Sequence, residues 1–196
     1  MKAVANFFLQ AKHWQIFLLL FALPTIADIA AVGFIPPTIR SWRDIVQGGF
    51  VYLGLLVLDT ICFLAWLWAM GSFLNSIQNP ALKLKPWFFR LALIYPPAYG
   101  FVFFAVFLSP GLGPVPERVI LPLHLFAMFC MFYVLYFVAK SLVMINKGKE
   151  VVFGDYAKSL ILLCLHPIGV WLIQPRINQL YAEIRNAQRQ HRATTE

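Results

Sequence analysis

The stretch Leu163–Tyr181, LCLHPIGVWLIQPRINQLY, decides the fold. It is apolar enough to enter a bilayer, yet His166 and Pro167 interrupt it and Arg176 closes its apolar part. Pro167 lacks a backbone donor and disfavours helix at the residue before it. Gly169 loosens the next turn. The two halves, Leu160–Leu165 and Ile168–Gln174, each reach only about 10 Å as helix, at ~1.5 Å per residue. A bilayer core is ~30 Å thick. The segment therefore reads as a dip into the membrane with HPIG at its tip, the alternative being a true fifth span.

Working outward, the whole chain shares this character. Of 196 residues, 61% are hydrophobic and 12% charged, with a mean hydropathy of +0.74. Soluble domains are about a quarter charged. Four runs have the ~20 apolar residues a span needs: Trp14–Ile35, Phe50–Leu74, Trp87–Leu108 and Val119–Ala139. The third is broken by Pro96-Pro97. Between the runs lie turn-rich connections: IPPTIRSWRDIVQGG, NSIQNPALKLKP, SPGLGPVPE and NKGKEVVFGD. The first run continues past Asp28, which fits a span better than a cleaved leader. The fold class expected is an all-α integral membrane protein: four transmembrane helices, a re-entrant or fifth segment over 160–174, and a basic tail over 176–196.

The net charge of +8 sets the direction. With the N-terminus inside and four crossings, thirteen Lys and Arg lie inside and three (Arg40, Arg43, Arg118) outside. If the last run crosses, the four tail arginines move out and the split becomes nine to seven. The positive-inside rule favours the dip and places both termini in the cytoplasm.

The run FGDY (Phe153–Tyr156), followed by apolar residues and PIGVWLIQPRIN (Pro167–Asn178), resembles the C-terminal signature of small multipass bacterial membrane proteins of unknown function. The likeness covers Lys147 to about Leu180, with KHWQIFLLLFALP (Lys12–Pro24) as a further point of similarity. It implies a bacterial inner-membrane protein with no assigned activity. Where that family carries an aromatic residue this chain has His166, which speaks against a ligand role for the histidine.

Ionisable residues inside a bilayer are costly and default to functional hypotheses. Asp28 lies eight residues before Pro36, and Asp59 nine residues after Phe50. Both therefore fall ~12 to 14 Å from the outer boundary. Two carboxyls at one depth could share a proton or hold a cation, and His124 could join that polar layer. The bland alternative is that each carboxyl bonds a neighbouring helix, with Thr25 or Thr60 near. Arg90 is expected to snorkel to phosphates. The three cysteines (Cys62, Cys130, Cys164) have no metal or redox spacing. His124 and His166 do not make a haem pair. With no GxSxG or HExxH, no catalytic residues, metal or cofactor are assigned.

The tail, RINQLYAEIRNAQRQHR, places Ile177, Leu180, Tyr181 and Ile184 at helical spacing, with Arg185, Arg189 and Arg192 to the other side. Arg176 and these three could bind anionic lipid or a soluble anion such as a nucleotide or oligonucleotide, or the helix could pair with other copies. The start, AVANFFLQAKHW, is amphipathic too. One copy is too small to enclose a wide aqueous path. The leading expectation is a small oligomeric channel of the bacterial inner membrane, gated by an anionic cytoplasmic signal as in a stress or phage-defence effector. The alternative is a non-conducting membrane anchor or accessory subunit of a partner complex.

Overall fold

A computed structural model describes residues 2–33, 42–107 and 116–194. Among them the regular elements are helical, with no strand. They are α1 (Lys2–Gln10), α2 (His13–Phe17), a π-helical turn (Leu18–Ala22), α3 (Leu23–Gly33), α4 (Trp42–Ile77) and a 3₁₀ turn (Pro80–Leu82). Then follow α5 (Pro86–Phe107), α6 (Glu117–Lys147), α7 (Phe153–Cys164) and α8 (His166–Ala193).

Three helical stretches are long and apolar enough to cross a membrane: Gly54–Ile77, Pro86–Val106 and Glu117–Lys147. Two bent pairs qualify only when each is taken as one span. Ala3–Gln10 meets His13–Ala27 at 113°, and Phe153–Cys164 meets His166–Gln190 at 120°. The described residues thus hold three to five candidate spans. Leu58, Ile94, Phe101, Leu121 and Phe132 are among the large apolar side chains exposed on the three straight stretches. A surface of this kind is accommodated by lipid.

Two sequence expectations are corrected here. Pro96-Pro97 does not break the third run: α5 passes through both prolines without interruption. Each proline lacks an N–H and so leaves one carbonyl four residues earlier unpaired in the helix. Ending the helix in an apolar environment would expose many more backbone groups, so the helix persists. Nor is the tail a separate element. α8 continues through Pro175 and Arg176 to Ala193, 28 residues in all. The end of the first expected run, Phe34–Ile35, and Leu108 of the third lie outside the described residues.

The contacts divide the chain into two compact units. One comprises Leu19–Leu64 and Lys85–Tyr136. Within it α5 and α6 run antiparallel, because Phe88 meets Tyr133 (ring centroids 4.6 Å apart) and Tyr95 meets Phe126 (4.6 Å). The Tyr95 hydroxyl donates to the Leu123 carbonyl over 3.3 Å. Phe89, Ala92 and Leu93 of α5 are buried, as are Ala127, Cys130 and Val134 of α6. Both sets follow helical spacing, which makes one buried stripe per helix.

The other unit comprises Met1–Leu18, Ala65–Leu84 and Phe137–Glu196. Its core contains Ile16, Trp66, Leu67, Met70, Leu74, Phe137, Leu142, Leu163, Val170, Ile173 and Ile177, all nearly inaccessible. α6 ends at Gly148, whose φ of 64° suits a residue without a side chain. Gly148 N–H donates to the Met144 carbonyl over 2.8 Å. The chain then turns into α7. There the Asp155 carboxylate accepts the Val152 N–H over 3.2 Å and pairs with Lys147.

Candidate functional site

The most organised polar group in the chain centres on Gln174. A helix ends with carbonyls that have no partner inside it, and α1 ends at Gln10. Gln174 Nε2 donates to the carbonyls of Phe8 (2.8 Å) and Ala11 (3.0 Å) and also contacts Asn178 Oδ1 (2.8 Å). Two hydrogens serve three oxygens, so one contact is shared. Gln174 Oε1 accepts the indole N–H of Trp66 over 2.8 Å. Asn178 Nδ2 donates to the same Ala11 carbonyl over 3.0 Å, and Tyr181 donates to Asn6 Oδ1 over 3.0 Å. Residues 174, 178 and 181 are spaced four and three apart, so they line one face of α8. Gln174 itself is fully buried. A buried amide must find partners or lose about 1–3 kcal/mol; here both of its ends are satisfied.

The same helix makes the sharp bend. Leu165 leaves helical geometry (φ −88°, ψ 52°), one residue ahead of the expected break at His166. Pro167 then sits in the first turn of α8, where its fixed φ and missing donor are tolerated. His166 is half-buried, its Nδ1 3.4 Å from the Cys164 carbonyl, and Pro167 is exposed. Gly169 has a larger task than loosening a turn. A Cβ there would lie 1.8 Å from the backbone oxygen of Leu162 and 2.7 Å from its carbonyl carbon. Only glycine lets α8 cross α7 this closely. Two residues on, Trp171 packs on His13 (centroids 4.6 Å apart) and Phe17 (5.7 Å). The segment PIGVWLIQPRIN therefore acts as a docking strip that seats the two N-terminal helices.

The other expected site residues are distributed as follows. Asp59 is half-buried on α4, beside Thr60, whose hydroxyl donates to the Leu56 carbonyl over 2.8 Å. His124 is exposed on α6, its Nδ1 3.5 Å from the Tyr99 hydroxyl. The side chains of Asp28 and Arg192 lie outside the described residues. Arg176, Arg185 and Arg189 are exposed on α8. Arg185 alone of these lines a cavity of about 360 Å³ bounded by α1, the end of α4 and α8. Outside the apolar segments, the hydrogen bond from Lys147 holds the Asp155 carboxyl below its ordinary range, and the Val152 N–H acts in the same direction. Among the described residues no three His, Cys, Asp or Glu side chains are grouped to hold a metal ion.

Sequence reasoning missed Gln174, Asn178 and Trp66. One signal was present: two amide side chains four apart, flanking Pro175 in a segment rich in Ile and Leu. Amides at such positions need partners. The comparisons add no relative: no known family, curated protein or solved structure matches this chain.

Proposed function

We propose that the chain is a non-conducting subunit of the bacterial inner membrane, an anchor or accessory component for a partner complex. The observation that carries this reading is the Gln174 group. A fully buried amide is used to tie both ends of the chain to Trp66, midway along the apolar stretch Gly54–Ile77, rather than to line a path. These contacts lie within one compact unit built from α1, α2, α7, α8 and the C-terminal parts of α4 and α6. Its polar side keeps Lys12, Arg176, Arg185 and Arg189 exposed. The charge distribution supports a cytoplasmic position for the basic end of this unit, with both termini inside. On this reading the 160–174 segment enters and leaves on the same side, and the 120° bend at Leu165 supports that course.

One observation favours a second reading, the small oligomeric channel. Asp59 is a half-buried acid on a helix otherwise apolar enough to span. Such a group can belong to an ion path when several copies assemble. Ion flux through the purified protein in liposomes separates the two, measured beside Asp28→Asn with Asp59→Asn. An anchor gives no flux in either protein, with and without cytosolic anions. Flux whose selectivity or rate changes in the double variant establishes the channel and overturns the anchor.

A further inference from the structure

The cavity beside Arg185 has a composition and a position that the Gln174 group does not explain. Its wall is built from three distant stretches of one unit: Asn6 and Gln10 of α1, Ser76 of α4, and Tyr181, Arg185 and Gln188 of α8. Phe73, Ile77 and Ile184 supply its apolar part. At about 360 Å³ it falls within the range of small-ligand sites, roughly 300–1,000 Å³.

The lining fixes the sign of the ligand. Arg185 is a permanent cation with a planar set of donors suited to phosphate, and no acidic residue lines the cavity. Glu183 is two residues from Arg185 and so points to a different side of the helix. The hydrogen bonds sort the remaining groups. Asn6 Oδ1 is occupied by the Tyr181 hydroxyl, so the Asn6 amide keeps its N–H groups to donate. The Ser76 hydroxyl gives its proton to the Phe73 carbonyl over 2.7 Å. Gln10 and Gln188 each bring a further amide.

Depth fixes its setting. Phe73, Ser76 and Ile77 form the last turn of the candidate span Gly54–Ile77. Where an apolar span ends, lipid headgroups begin. On α1, Val4 and Phe7 turn exposed apolar surface outward near the same wall. An arginine with amides around it, at headgroup level and next to apolar surface, matches a phosphate ester carried on glycerol.

We infer that this cavity is a binding site for a glycerophosphate group, with Arg185 gripping the phosphate and the amides of Asn6, Gln10 and Gln188 donating to its oxygens. The source is a phospholipid headgroup or a soluble phosphate ester. The site stands whether or not the chain conducts ions.

The test uses the full-length purified chain in dodecyl maltoside, titrated calorimetrically with three probes. These are dihexanoyl phosphatidylglycerol, glycerol 3-phosphate, and dihexanoylglycerol, which lacks the phosphate. Arg185→Gln should weaken phosphatidylglycerol binding about tenfold or more, as expected for a charge-assisted contact. Arg189→Gln, one turn further along, should change it less than about twofold, because a screened surface charge contributes little. Gln188→Ala removes an amide and no charge, and should also weaken binding. Phosphatidylglycerol binding far tighter than glycerol 3-phosphate assigns the site to lipid; equal binding assigns it to a soluble ester. Three results overturn the site: no binding of either phosphate probe, dihexanoylglycerol binding as tightly as phosphatidylglycerol, or equal losses in Arg185→Gln and Arg189→Gln.

Discussion

The indole N–H of Trp66 donates to the side-chain oxygen of Gln174 over 2.8 Å, across 108 residues of sequence. The other end of the same amide holds the C-terminal carbonyls of α1. Both rings of contacts depend on Gln174 keeping its oxygen toward α4 and its nitrogen toward α1. Gln174→Met fills the space but takes its hydrogen bond from the indole N–H and from the Phe8 carbonyl, leaving the Ala11 carbonyl to Asn178 alone. The expected loss is about 3 kcal/mol, from several buried groups at about 1–3 kcal/mol each. Trp66→Phe should cost less in polar terms, about 1 kcal/mol for one bond, plus lost packing. The double variant should lose less than the sum of the two. Thermal unfolding of the detergent-solubilised proteins reads all three, and additive losses would show that the pair is not coupled.

Gly169 and Gly100 should respond in opposite ways to the same substitution. At Gly169 a methyl group would meet the Leu162 backbone, which cannot swing aside as a side chain would. Gly169→Ala should open the α7–α8 crossing and destabilise the protein by about 3 kcal/mol, at the upper end of overpacking effects. At Gly100 a Cβ would meet nothing within 4 Å. Gly100→Ala should be neutral or stabilise by up to about 1 kcal/mol, from helix propensity. Protease sensitivity of the α7–α8 junction, with the unfolding midpoint, distinguishes the two variants.

Ser141 offers a gain rather than a loss. It is fully buried on α6, and its hydroxyl oxygen has no hydrogen-bond partner among the described residues. A buried hydroxyl without a partner carries a desolvation penalty of about 1–3 kcal/mol. Ser141→Ala should therefore raise the unfolding midpoint, by the equivalent of about 1 kcal/mol. A lower midpoint would reveal a polar contact that the hydroxyl makes.

Asp155 should give the stability an acid limb. Its carboxyl is held below the ordinary range by Lys147 and the Val152 N–H. A depressed carboxyl stabilises the fold above its unfolded pKa, about 3.9. That contribution is lost as pH falls through the lower folded value. Wild-type protein should lose stability over this acidic window, while Asp155→Asn should be weaker at neutral pH and flatter below pH ~4. High salt should reduce the difference, since Lys147 is exposed and Asp155 only half-buried. Unfolding midpoints at several pH values test this.

Much of the helical content was legible because it rests on local features. Runs of apolar side chains announce helices wherever they occur, and Leu163–Tyr181 announces its own break through His166-Pro167. Local rules failed at Pro96-Pro97, where avoidance of exposed backbone outweighs the local proline penalty. They also failed at Arg176, where a change of polarity was mistaken for a change of element. The Arg185 cavity was only half visible: the arginine stood out, but Asn6, Gln10 and Ser76 came from stretches that nothing in the spacing connects to it.

By itself the sequence determined that the chain is helical, apolar and basic at both ends, because composition and periodicity act residue by residue. Only the tertiary structure decided what Gly169, Gln174 and Asn178 are for. Their partners, Leu162, Trp66 and the end of α1, are chosen by the close crossing of helices and by the need of buried backbone and amide groups for hydrogen bonds. Neither demand leaves a periodic mark in the chain.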